Sequence, residues 1–529
     1  MKFINYLNSL KKYGIFLLFL IIGLIIFLSP MINSGFSLLQ GNNSDIFYSA
    51  YVLEHSFLFL KQVPFHYEIW NMPILYPLEN TLSFEDFYIG LMPLYWVIRG
   101  FCKNPLTSFQ ILFIVLNILN YSIFYYLFKK QLKFSTLASS FAAFIFAFSI
   151  LRYLRCSQIQ FFSQFYSILA FIFILKIGNN NKNYKNHLYV ALSSVFLALQ
   201  FYTCYFYGFY SIFILFWGVI IALLPKTGRD FILNYFRQNK KFIILFILYT
   251  IMLNFPLATR YIAQNQVNLI DSVYYNSTNF WGWIRNLSVL DSYIFKNLVF
   301  LNNLKINEMS CSIGFFTMIA GIFGLFKIKY SKGVPIILLI LIFLCSIRID
   351  DIFVWKYFYY FTIGSEGISY ISRIAFISLI IFCFGIGYLI NYLQKSNLKH
   401  KNLILFSIIL LMVLENIPYQ NDVNSSFENY IFKKNEFIEN TKKIENEIKN
   451  DCKVFYLKTD IKNLDYFSKK DKLIQKEKIE NLNSAYSLWI TANRKIYTLN
   501  GYKQKNDEIE TKEIKNFCEI KKIYDAKAF

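Results

Sequence analysis

Long apolar stretches dominate this chain, and short polar breaks separate them. The first apolar run, 14–30, follows Lys2, Lys11 and Lys12. No small-residue cleavage site follows it, so it reads as a retained helix with its basic flank in the cytoplasm. Further runs fall at 106–127, 136–151, 160–176, 187–204, 207–224, 242–258, 313–328, 334–347, 374–393 and 402–417. Each approaches the roughly 17–25 residues that cross a bilayer. Basic clusters sit between pairs of runs, at Lys129–Lys133, Lys176–Lys185, Lys226–Lys241, Lys327–Lys332 and Lys395–Lys401. If each cluster is cytoplasmic, each interval is a helical hairpin. The run 87–101 ends at Arg99-Gly100 and is short, so it reads as an amphipathic or half-inserted helix on the outer surface. The pattern predicts an all-α polytopic membrane protein with about eleven transmembrane helices, N-terminus inside and C-terminus outside. A twelfth crossing would move several lysine clusters outside.

Beyond 417 the pattern changes. Residues 418–529 are polar and rich in Lys and Glu. Residues 430–450 place Phe437, Ile444 and Ile448 on one face of an amphipathic helix. The stretches "KVFYLKT" (453–459) and "KIYTLNG" (495–501) have the β-branched and aromatic content of strands. The expected organisation is a transmembrane domain over 1–417, with a first outer loop at 31–105, and a small extracytoplasmic α/β domain over 418–529.

Composition agrees with the membrane reading. Of 529 residues, 56% are hydrophobic and 16% charged, against about 25% charged in soluble domains. The abundance of Ile, Lys and Asn looks like an AT-rich genome, which discounts Lys and Asn as functional signals. The net charge of +22 does not indicate nucleic acid. The basic residues lie in short loops and in a tail where acids interleave with them, and no compact basic face is visible. Eight cysteines contain no C-x-x-C pair, so redox and metal motifs are unsupported. Cys452 and Cys518 both lie in the tail, where they are either a disulfide in an oxidising compartment or two free thiols. His55, His66, His187 and His400 show no metal-ligand spacing.

Candidate chemistry concentrates on the outer side. Residues 31–86 carry six carboxylates and one lysine. Asp45, in "NNSDIFYSAYVLEH" (42–55), is either a solvated loop carboxylate or a base near the membrane surface. Glu85 and Asp86 precede the surface helix, where negative charge suits the helix dipole. Glu54, Glu68 and Glu79 read as surface charges. Arg152 and Arg155 stand three residues apart at an outer helix end, and either fork a phosphate or snorkel at the interface. Gln158 and Gln160 follow and can bind sugar hydroxyls. Arg260 and Arg373 are similar cationic candidates. The aromatic stretches "CYFYGFY" (204–210) and "WKYFYYF" (355–361) read first as interface belts.

One cytoplasmic N-terminus, one helix, then a long outer loop with an early aspartate and a surface helix resembles the GT-C superfamily of integral membrane glycosyltransferases. The stretch "ILYPLENTLSFEDFYIGLMPLYWVIRG" (74–100) resembles the Tyr-Pro…Asp…Pro-Leu pattern of bacterial GT-C-like membrane proteins. "RYLRCSQIQFFSQF" (152–165) is similar to their Arg-rich outer hairpin. "GSEGISYISRIAF" (364–376) is similar to their Gly…Arg-x-x-Arg helix start, with Ser369 in place of the first Arg. "LLMVLENIP" (410–418) and "YTLNGYK" (497–503) are similar to their last helix and tail motif. The likeness spans nearly the whole length, and the order of the motifs carries it. It implies a polyprenyl-phosphate-linked sugar as donor and transfer outside a bacterial cytoplasmic membrane, with no cofactor or metal specified. It implies Asp45 and Asp86 as the catalytic acids. Arg152, Arg155, Arg373 and Arg260 would bind the donor phosphate. Gln158, Gln160 and Tyr76 would bind the sugar or acceptor. The other readings are a lipid or glycan transporter, which would place charges at mid-membrane, and a non-catalytic scaffold of the same fold.

Overall fold

The computed structural model describes residues 2–41, 44–84, 86–178, 183–263, 269–286, 288–295, 310–328, 333–349, 352–419, 432–462, 469–494, 496–501 and 517–525. Every predicted span contains a helix. Among the described residues, six helices are long and apolar enough to cross a membrane: Tyr13–Asn33, Pro105–Gln131, Thr136–Tyr153, Tyr205–Leu223, Lys226–Arg260 and Ile371–Lys395. Ile159–Ile174, Phe315–Phe326 and Gly333–Ser346 are apolar but shorter. The basic cluster Lys226–Lys241 differs from expectation. It is helical rather than a loop, because Lys226–Ala263 runs as one element with non-helical backbone only at Asn239.

Contacts divide the chain into two compact units. The first comprises Met1–Ser29, Ile114–Arg155 and Phe161–Phe427. In it, Phe315–Phe326 packs on Ala375–Lys395 through glycine. A Cβ on Gly321 would meet the Phe382 backbone, and one on Gly324 or Gly385 would run into the opposing helix's carbonyl. Small residues let backbones approach where lipid offers no hydrophobic drive for association. The sequence "LEN" (414–416) is explained here as capping. Glu415 accepts the Phe316 and Thr317 amides at 2.9 and 2.8 Å and the Thr317 hydroxyl at 2.8 Å. Those amides would otherwise be orphan donors of a helix N-terminus. Asn416 Oδ1 accepts the Ile150 amide at 2.9 Å.

The second unit comprises Pro30–Phe113, Cys156–Gln160 and Glu428–Phe529. Its centre is the helix Asp45–Leu60, in which every residue from Asp45 to Ser56 is buried. Asp45 is therefore the first residue of a core helix and not part of a polar loop. Phe47 stacks on Phe437 at 3.6 Å, and Trp489 Nε1 donates to the Phe47 carbonyl at 3.1 Å. The tail supplies the helix Lys434–Glu447 and three parallel strands, β1 (Val454–Lys462), β2 (Tyr497–Thr498) and β3 (Phe517–Asp525), in the order β2-β1-β3. Parallel pairing needs crossovers, and the helix Lys469–Asn493 supplies the one from β1 to β2. That helix and β3 were not legible in the sequence. Cys452 and Cys518 form a disulfide.

Two of the quoted motifs meet in this unit. The Tyr76 amide donates to the Thr498 carbonyl at 3.1 Å, and the Thr498 amide to the Pro73 carbonyl at 3.1 Å. A side chain on Gly501 would collide with Leu75. The short helix Met92–Phe101 has 10 residues, about 15 Å at 1.5 Å per residue, half of a hydrocarbon core. It is fastened to the core helix by Glu54, which is not a surface charge. Glu54 accepts from Arg99 Nε at 2.9 Å, Arg99 Nη2 at 3.0 Å and the Tyr95 hydroxyl at 2.7 Å. Truncation by Glu54→Ala leaves Arg99 with the Cys102 carbonyl and Tyr95 with the longer contact to the Pro105 carbonyl, 3.3 Å, and is expected to destabilise the protein by about 3 kcal/mol. Chemical denaturation in detergent measures it, and an unchanged transition would refute the anchoring role.

Candidate functional site

Asp45 opens the core helix, so its carboxylate stands at the positive end of the helix dipole. It is buried, with 8% exposure. Gln158 Nε2 donates to its Oδ2 at 3.1 Å. A second carboxylate has a matching partner, since Gln160 Nε2 donates to Asp86 Oδ2 at 2.7 Å. Gln158 and Gln160 both come from the short segment 156–160, so one stretch of chain holds both acids. Asp86 itself is half-buried and lies ahead of the 3-10 turn Ile89–Leu91. Glu85 falls outside the described residues.

A residue the sequence did not mark links the turn after Asp86 to the Asp45 helix. Tyr88 is buried and adopts the left-handed backbone, with φ 54°, which costs a non-glycine residue about 1–3 kcal/mol. Ser49 donates to the Asp45 carbonyl at 2.8 Å, which leaves its oxygen to accept the Tyr88 hydroxyl at 2.9 Å. Burial pushes the Tyr88 hydroxyl well above its usual range, and the charges of Asp86 and Asp45 push it the same way. Tyr88 therefore stays protonated and donates to Ser49. The only clue in the sequence was its place two residues after Asp86. Among the described residues, no three His, Cys, Asp or Glu side chains converge as metal ligands would.

The first unit holds three of the predicted arginines, Arg152, Arg155 and Arg373. Arg152, Arg155 and Arg373 all act on the Tyr207 hydroxyl electrostatically, and that hydroxyl donates to the Phe161 carbonyl at 3.1 Å. Burial separates their roles. Arg152 is fully buried, donating to the Phe146 and Phe161 carbonyls at 2.6 and 2.7 Å and to Gln164 Oε1 at 2.6 Å. Its guanidinium is committed to fixing the chain, which corrects its reading as a phosphate ligand. Arg155 is buried and donates to the Leu154 carbonyl at 3.4 Å. Arg373 is half-exposed, with its guanidinium over the rings of Phe161, Phe206 and Tyr370 at 4.5 to 5.0 Å. It has no carboxylate partner among the described residues. Arg260 stands in the last turn of Lys226–Ala263. Tyr76 is half-buried and packs its ring on Tyr497 at 5.1 Å, so its described contacts are structural.

His55 and His66, eleven residues apart, form a pair that spacing could not reveal. Their Nδ1 atoms lie 2.7 Å apart. His55 Nε2 faces the Ile69 carbonyl at 3.2 Å and must carry a proton. His66 Nδ1 is then the donor between the rings, so its unprotonated Nε2 makes no hydrogen bond to the Thr491 carbonyl 3.4 Å away, the longer of the two carbonyl contacts. Burial lowers His55 to about 3, helped by the charge of His66, and burial lowers His66 to about 4. Unfolded histidine titrates near 6.5. Between these values the unfolded chain binds more protons, so this stabilisation is complete above pH 6.5 and is lost as pH falls toward 4. The thermal midpoint is expected to fall between pH 7 and pH 4.5. A His55→Gln, His66→Gln double variant should lose much of that slope, and an identical slope in both proteins would sink the assignment.

No family model matches this chain, and comparison with curated proteins finds no match. Among solved structures, the chain is similar to the crystal structure of the Archaeoglobus fulgidus oligosaccharyltransferase in the apo form. The identity is 11% and the TM-score 0.48, over 93% of this chain. This chain spans 65% of that protein's length. Nothing about activity follows from a likeness at that level.

Proposed function

We propose that the chain is a GT-C-type glycosyltransferase. It moves a sugar from a polyprenyl-phosphate donor to a hydroxyl of a cell-envelope glycan, lipid or protein. The observation that carries this reading is the pair of acids, Asp45 and Asp86, each accepting from a glutamine of the one short segment 156–160. A purely structural acid at a helix start needs no second acid held by the same segment.

The step is a single displacement. The acceptor oxygen bonds to the anomeric carbon while its proton passes to Asp45. The bond from that carbon to the phosphate oxygen breaks, and its electron pair leaves with the polyprenyl phosphate. Gln158 orients the Asp45 carboxylate, and Asp86 and Gln160 receive acceptor hydroxyls. In the first unit, Arg373 lies over three aromatic rings and offers a guanidinium that a phosphate anion can use. The disulfide between Cys452 and Cys518 supports a tail in an oxidising compartment. With about eleven crossings, the N-terminus is cytoplasmic and the reaction faces outward from the bacterial cytoplasmic membrane.

The test compares glycans and glycolipids of a deletion strain with those of its parent by mass spectrometry. A glycan is expected to lose a sugar and regain it on complementation. Asp45→Ala should restore about 10²- to 10⁴-fold less product at normal protein level, and Arg373→Ala should also be impaired. Identical glycan profiles in deletion and parent, or full complementation by Asp45→Ala, would refute the reading.

A further inference from the structure

Gln40 is fully buried, and neither its amide nitrogen nor its amide oxygen meets a hydrogen-bond partner. Leaving both ends of a primary amide unmet forfeits its hydration without return. A methionine of similar volume would serve packing better. Gln40 precedes Gly41, whose left-handed backbone, φ +96°, is pressed against Ser157. A Cβ at Gly41 would stand 2.6 Å from the Ser157 Cα. Gln158 comes next after Ser157. Asp45 only accepts when ionised, so Gln158 must turn its NH₂ toward it. That leaves Gln158 Oε1 pointing elsewhere, buried and without a donor. Two glutamines, each one residue from the same Gly41–Ser157 contact, therefore hold three unmet polar atoms.

The chemistry of those atoms selects a ligand. A phosphate or carboxylate would face the Asp45 charge and two amide oxygens. A lone carbonyl would satisfy Gln40 Nε2 and nothing else. Adjacent hydroxyls fit, because one accepts from Nε2 while its neighbour donates to Oε1 of the same planar amide. A further hydroxyl donates to Gln158 Oε1. We infer that Gln40 and Gln158 form a hydroxyl-reading subsite that takes a sugar ring with adjacent free hydroxyls. This rests on the glycosyl-transfer reading and adds that carbohydrate, not phosphate or lipid, occupies this part of the second unit. The ring belongs to either the donor or the acceptor.

The test uses full-length protein in nanodiscs, as wild type, Gln40→Met and Gln40→Leu. Saturation-transfer NMR is recorded with methyl pyranosides of the common hexoses as acceptor-type probes. The same hexoses on farnesyl phosphate are the donor-type probes. Removing an unmet amide should leave the thermal midpoint unchanged or higher, while saturation transfer to the ring protons falls at least tenfold. The probe set that loses signal identifies the source of the ring. Binding within twofold of wild type in both variants overturns the subsite. So does a lower midpoint with binding kept, which is the mark of a structural residue, and so does wild-type protein that binds neither set. Unchanged glycans in the deletion strain would overturn the transfer reading alone, with the subsite judged by these spectra.

Discussion

The helix Asp45–Leu60 is buried along its first three turns, and its polar groups must be solvated by protein instead of water. That requirement orders the second unit. The Asp45 carboxylate takes the Gln158 amide, and Glu54 takes a bidentate arginine and a tyrosine hydroxyl. Ser49 links the helix to Tyr88. His55 meets His66, and Tyr51 pairs with Thr491 at 2.8 Å. Remove the burial and none of these partners is needed. Keep it and each is forced, so a helix that looks like a core element also fixes the position of the leading chemical group.

The arginines of the first unit illustrate how burial divides one residue type into two jobs. Arg152 spends its donors on carbonyls and a glutamine, which holds the irregular chain between two helices in place. Arg373 lies among aromatic faces with solvent access and keeps its charge available. Cation–π contact orients a guanidinium without neutralising it. This arrangement suits a group that waits for an anion.

The helical scaffold was legible because apolar runs and lysine clusters report it directly. The amphipathic helix near 430–450 and the strands beginning near 454 and 497 were legible from side-chain type. The helix Lys469–Asn493 was not, since its first half is dense in lysine and acid and resembles the rest of the tail. β3 likewise carries the adjacent pair Lys521-Lys522, which breaks its alternation. The site was legible in part. Asp45, Asp86, Gln158 and Gln160 were each singled out, but no local pattern links residues so far apart. Tyr88, Gln40 and the histidine pair act through contacts that only the fold creates. Tyr76 and Arg152 carried the right residue type for binding, and their packing assigns them to structure.

The pairing of Pro73, Leu75 and Tyr76 with Thr498 and Asn500 has a consequence for biogenesis. The stretch around Leu75 completes its core with the stretch around Thr498, and Tyr51 finds its partner 440 residues downstream. Loop closure over such a distance is slow, and the unpaired apolar surface stays exposed meanwhile. The aromatic side chains Phe47 and Tyr51 must wait, sheltered by lipid or by a chaperone, until Phe437 and Thr491 have been made. A nascent chain halted before Phe437 lacks the partners that bury the helix Asp45–Leu60, so the second unit closes only after residues 437–498 have been made.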